Sequence, residues 1–177
     1  MNYEYMRITN IKNKLKDKRG LTLIELIVAI GIFGLVINMV FGIFSLAIMS
    51  QRRIIALRNV EDNSRFTIES MAREIRTGKN FSSGVGSLSF TNAKGEAVIY
   101  RLDGGIVEKS SDGGMNYSAV TGSEANVDYL NFYLMGQMAG DGLQSRITIT
   151  MGVTSQVGSQ SANLKVQTTI SERFLQI

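Results

Sequence analysis

The chain has 177 residues, 44% hydrophobic and 19% charged, enough for one ordinary domain and an appendage, and is neither disordered nor saturated with apolar sequence. It contains no cysteine and no histidine, which excludes disulfide frameworks and thiolate metal sites and removes the usual general base and the Ser-His and Cys-His nucleophile pairs. Its net charge of +4 belongs entirely to residues 1–20, where Arg7, Lys12, Lys14, Lys16, Lys18 and Arg19 outnumber Glu4 and Asp17. The remainder nets zero, so no nucleic-acid face is expected on a folded domain.

From 21 to 49 the sequence reads LTLIELIVAIGIFGLVINMVFGIFSLAIM, with Glu25 as its only charge. At about 1.5 Å per residue this makes a helix of roughly 43 Å, longer than the ~30 Å hydrocarbon core of a bilayer. A core helix of a soluble domain would carry a polar stripe, and none of useful width is present. The segment is therefore expected to span a membrane. The basic cluster directly before it holds that end in the cytoplasm and puts the carboxyl-terminal domain outside; Arg52 and Arg53 beyond the run oppose this only weakly. An ordinary secretory signal has a much shorter apolar run, followed and not preceded by its cleavage site.

The junction Lys18-Arg19-Gly20-Leu21-Thr22-Leu23-Ile24-Glu25-Leu26 resembles the prepilin peptidase site of the type IV pilin and pseudopilin family. That resemblance implies cleavage between Gly20 and Leu21 by an integral-membrane aspartic protease, and N-methylation of Leu21 by the same enzyme. Leucine stands here where the family usually has phenylalanine. Gly20, lacking a Cβ, lets an extended backbone enter a narrow proteolytic cleft; taken alone it would read better as a flexible hinge, but not beside the rest of the motif.

Glu25 is costly inside lipid, about 2.5–3.5 kcal/mol at the bilayer centre and less near the interface. On the residues alone it either snorkels to the headgroups or pairs with the new α-amine of its own Leu21. The resemblance implies a third arrangement, pairing with the amine of a neighbouring subunit, which sets axial register during assembly. Gly34, Asn38 and Gly42, spaced by four, share one helix face where small residues allow close approach and an asparagine can bond across the contact. The alternative is that glycine is simply common in membrane helices.

Residues 51–79 place Leu57, Val60, Ser64, Ile68, Met71 and Ile75 on one amphipathic stripe, with Gly78 as terminator. The helix is expected to run on from Leu21 without a break, since the chain has no proline. After Gly84 the pattern turns to short alternating segments: strands at 87–91, 97–102, 106–109, 127–135, 146–153 and 164–170, with Asp103-Gly104-Gly105 as a hairpin signal. Stretches 110–126, 136–143 and 154–163 read as loops. The expected architecture is α+β, a long amino-terminal helix whose second half packs on an antiparallel sheet. Its parts are a basic leader at 1–20, a membrane helix at 21–50, an amphipathic helix at 51–79 and a β-rich domain at 80–177.

Asp112-Gly113-Gly114 and Asp141-Gly142 offer too few carboxylates for calcium and read as turns. Tyr129, Phe132 and Tyr133 are taken as packing and sheet-pairing residues, not as a binding patch. No metal or other cofactor is expected, and no catalytic residues.

The resemblance implies a structural subunit, not an enzyme: a minor pilin or pseudopilin of a type IV pilus, competence pseudopilus or type II secretion pseudopilus. Residues 71–76 and 167–173 are similar to minor pilins of the W type and pseudopilins of the J type. Implied partners are the membrane, other pilin or pseudopilin subunits and prepilin peptidase. The implied location is the bacterial plasma membrane, then the filament. The rival is a solitary signal-anchored protein whose outer domain binds a ligand or the cell wall and never polymerises.

Overall fold

The computed structural model describes residues 20–136 and 144–173. The basic leader up to Arg19, the turn expected at Asp141-Gly142 and the closing Phe174 lie outside the described residues.

The architecture is α+β. Among the described residues one helix, α1, runs over Leu23–Ile75, and eight strands follow: β1 (Lys79–Gly84), β2 (Ser87–Thr91), β3 (Ala97–Asp103), β4 (Ile106–Ser110), β5 (Ser118–Ala119), β6 (Asn126–Met135), β7 (Arg146–Val157) and β8 (Gln160–Ser171). All pairings are antiparallel between neighbours in sequence. They form a five-stranded sheet β1-β2-β3-β4-β5 and a three-stranded sheet β6-β7-β8. The chain divides into two compact units, up to Ala47 and from Ile48 onward, and α1 contributes to both.

In the first unit α1 is apolar all round and exposed, with the hydropathy and length to cross a membrane. Thr22 caps it: the Glu25 N–H donates to Thr22 Oγ1 at 3.3 Å, and the Leu26 N–H to the Thr22 carbonyl at 3.1 Å.

In the second unit the buried stripe of α1 is Ala56, Val60, Ser64, Thr67, Met71 and Ile75. The expected stripe differs at two positions. Leu57 lies outside it and exposed, with Ala56 in its place, and Ile68 is only half-buried beside buried Thr67. A continuous helix at 3.6 residues per turn drifts around its axis, so a spacing that begins one residue late misses the contact line at its first turn. The stripe meets Leu88, Val98, Tyr100, Val107, Leu130, Phe132, Ile147, Ile149, Met151 and Val153 in one hydrophobic core.

The helix stops where Gly78 must. Its N–H bonds the Ile75 carbonyl at 3.1 Å, and a Cβ on Gly78 would stand 2.6 Å from Phe90 Cδ2. No side chain larger than hydrogen fits between the helix end and that ring. At the β3–β4 hairpin Gly104 and Gly105 both take positive φ, 54° and 81°, the primed turn that their sequence signalled.

β1, β5 and the extensions of β7 and β8 through 154–163 are strands that the sequence pattern did not show. β1 reads Lys-Asn-Phe-Ser-Ser-Gly and buries only Phe81. Residues 154–163 form a hairpin turning at Gly158, where polar side chains extend the ladder beyond its apolar stretch. The single sheet expected is in fact two.

Candidate processing and assembly site

Gly20 and Leu21 lie ahead of α1, outside any regular element, and both are exposed, Leu21 at 70%. A Cβ on Gly20 would meet nothing within 4 Å. The peptide bond between the two residues is thus free of the fold that follows. Uncovered backbone outside regular structure is what a protease cleft requires, because the scissile segment must be grasped along its length.

Glu25 occupies the third position of the helix after its Thr22 cap. Thr22-Leu23-Ile24-Glu25 has the T-x-x-E spacing of a capping box, a signal that the sequence reading passed over. An acid here also favours the partial positive charge of the helix amino terminus. The polarity of the helix end therefore favours a carboxylate at this position in an otherwise uncharged run. Leu21, just before the cap, stands outside the helix, so its nitrogen is not on the i, i+4 ladder with Glu25 in the uncut chain.

Gly34, Asn38 and Gly42 lie along α1 as their spacing requires. Gly34 is half-buried, and the other two are exposed. A Cβ on either glycine would meet nothing within 4 Å. The Asn38 side-chain amide donates to the Gly34 carbonyl at 2.8 Å, which ties this face to its own backbone. One amide hydrogen is thereby committed, while the side-chain oxygen keeps acceptor capacity toward a second helix.

The β-rich unit has its own polar centre at the end of α1. Tyr100, fully buried, donates from its hydroxyl to Glu74 Oε2 at 3.0 Å, and the other oxygen of that carboxylate pairs with Lys109. Burial, with the adjacent Glu74 charge, pushes the Tyr100 phenol well above its ordinary range. The Arg173 N–H donates to the Arg76 carbonyl at 2.8 Å, joining the residues after β8 to the helix end. Asn63 Oδ1 accepts from the Gly122 N–H at 2.7 Å and so fastens the 120–125 loop to α1. These groups are used up in structural bonds. No cluster of three or more metal-ligating side chains occurs among the described residues.

Residues 15–37 match the family model of the prokaryotic N-terminal methylation motif. No curated protein and no solved structure matches the chain. The matched stretch contains Gly20, Leu21, Glu25 and Gly34, and it leads into the one described helix long and apolar enough to cross a membrane. The chain thus carries the amino-terminal motif of a type IV pilin-like precursor, the kind of chain that prepilin peptidase processes.

Proposed function

We propose that the chain is a minor pilin or pseudopilin, a structural subunit of a type IV pilus, competence pseudopilus or type II secretion pseudopilus. Prepilin peptidase cuts between Gly20 and Leu21 on the cytoplasmic side and methylates Leu21, and α1 then carries the subunit into the filament. The β-rich unit, residues 80–177, faces away from the cytoplasm. The observation that carries this reading is the methylation motif at 15–37 merging into an exposed apolar helix whose membrane-length window is unburied among the described residues. Such a surface needs lipid or other helices to cover it.

Glu25 gives the assembly its register. In lipid the carboxylate lies at the positive end of the helix dipole; in the filament it pairs with the methylated amine of a neighbouring Leu21. Gly34, Asn38 and Gly42 form a face where helices approach closely. The charge-bearing outer face of α1 beyond Arg52 stays solvated or meets neighbouring subunits.

The test is Glu25→Ala in cells that assemble the wild-type subunit. Membrane insertion and cleavage should stay as in wild type, while the amount in sheared filament or cross-linked pseudopilus fractions falls at least tenfold, the effect of losing about 1.4 kcal/mol per contact. Wild-type levels of the variant in that fraction would remove the register role.

A further inference from the structure

α1 leaves its apolar run beside the tip of the β7–β8 hairpin. Leu26 to Gln51 carry no charge, and Arg52 is the next charge after Glu25. The two stand about 27 residues apart, roughly 40 Å of helix, against the ~40–45 Å of a bilayer with its headgroup layers. A span with Glu25 in one headgroup layer has Arg52 and Arg53 in the other. Exposed Ile54 and Ile55 follow at once, so apolar surface and positive charge adjoin here as they do at an interface.

Gly158 fixes what lies beside them. A Cβ there would stand 2.8 Å from Arg52 Nη1 and 3.4 Å from both Cδ and Cζ, so the guanidinium rests on the hairpin turn and the turn shares its depth. The tip is a two-residue turn, Gly158-Ser159, closed by the Val157–Gln160 pair, with Gly158 at a φ of 61°. Its own side chains take up its acceptors. Gln156 Nε2 donates to the Gly158 carbonyl at 3.1 Å, and Gln160 Nε2 to Ser159 Oγ at 3.4 Å, which leaves the Ser159 hydroxyl hydrogen to point outward. No charge falls between Gln156 and Ser161. Asp128 and Glu124 stand back at Thr154 and Ser155, about 10–13 Å from Gly158 at ~3.3 Å per residue. Arg52 and Arg53 are exposed and form no ion pair among the described residues.

Two unpaired guanidiniums beside an uncharged turn with an outward hydroxyl donor suit a phosphate. Their depth says which phosphate. A free anion has no reason to be held at the end of a membrane span, whereas a phospholipid headgroup is found only there.

We propose that Arg52, Arg53 and the Gly158-Ser159 turn form a seat for the phosphate of an anionic phospholipid, so that the β7–β8 hairpin rests on the bilayer surface. The proposal rests on the membrane-spanning reading of α1 and takes nothing from filament assembly.

The chain has no cysteine, so one introduced cysteine gives a single labelling position. Full-length Ser159→Cys and Lys94→Cys chains bearing a fluorophore are reconstituted in phosphatidylcholine nanodiscs containing a nitroxide-labelled lipid, either phosphatidylglycerol or phosphatidylcholine. Lys94 is the control, because Phe90 of its hairpin packs on Gly78 at the other end of α1. The Ser159 label should be quenched and the Lys94 label not, and labelled phosphatidylglycerol should quench Ser159 at about tenfold lower content than labelled phosphatidylcholine. Arg52→Gln and Arg53→Gln should each cut that preference roughly fivefold, while Arg52→Lys, which keeps the charge, should retain most of it. Both arginines are exposed, and melting verifies the fold of each variant. An unquenched Ser159 label, equal quenching by the two lipids, or a preference that survives both glutamine changes would overturn the proposal; the last, joined to lower filament incorporation, would assign the arginines to a neighbouring subunit. Loss of the preference on adding soluble glycerol phosphate would also overturn it, in favour of a free phosphate ester. Resistance to alkaline extraction reports the span itself, so failure of the seat and failure of the membrane reading are told apart.

Discussion

Two hydroxyls on the buried stripe of α1, Ser64 Oγ and Thr67 Oγ1, have no hydrogen-bond partner among the described residues. Small side chains at these positions let the helix lie close to the sheet, and the unbonded oxygens are the cost of that closeness. Thr67→Val keeps the shape and removes the buried oxygen, so it should stabilise the β-rich unit by about 1 kcal/mol, seen as a higher melting temperature. Asp112 is the opposite case. It accepts from the Ser110 hydroxyl at 2.6 Å and from the Met115 and Asn116 N–H groups at 2.9 and 3.0 Å. These donors, Ser110 foremost, hold its carboxyl well below the usual carboxylate range. A depressed folded-state value contributes stability that is present above the unfolded carboxylate's ~3.9 and is lost as pH falls through the folded value. The 110–116 loop should therefore keep its amide-exchange protection through pH 4 and lose it only in much stronger acid. Asp112→Asn should abolish that acid dependence.

Elements were legible in proportion to how strongly burial imposed a period on them. β6 and the first half of β7 alternate sharply because one face packs on α1, and the membrane half of α1 declares itself by length and by the near-absence of charge. β1 and the 154–163 hairpin carry mostly polar side chains, so hydrogen bonding builds them where hydrophobic pattern is silent. The division into two sheets was hidden for the same reason: partners, not propensities, decide it. At the candidate site Gly20, Leu21 and Glu25 were readable because a local motif carries them. The Thr22 cap is readable too, as T-x-x-E. The glycine face of α1 yields a test at this scale. Space around Gly34 and Gly42 is open among the described residues. Gly42→Leu should thus leave insertion and the melting of the β-rich unit unchanged, while lowering filament incorporation under the proposed assembly, measured in the sheared fraction. Unchanged incorporation would mean that this face points to lipid.

At the scale of the molecule, one continuous helix serves two environments. Up to Ala47 none of its residues is buried among the described residues, whereas from Ala56 to Ile75 its inner stripe is sealed against strands. The strands close their core only with the inner stripe of α1, and the apolar half of the helix leaves a surface that lipid or other helices can cover. That separation lets a chain be processed at one end without disturbing the fold at the other. The most direct measurement is the intact mass of the chain recovered from cells with and without prepilin peptidase. The account requires a mature chain beginning at an N-methylated Leu21 when the enzyme is present, with the leader retained when it is absent or when Gly20 is changed to valine. A leader still attached in cells with an active peptidase would contradict it.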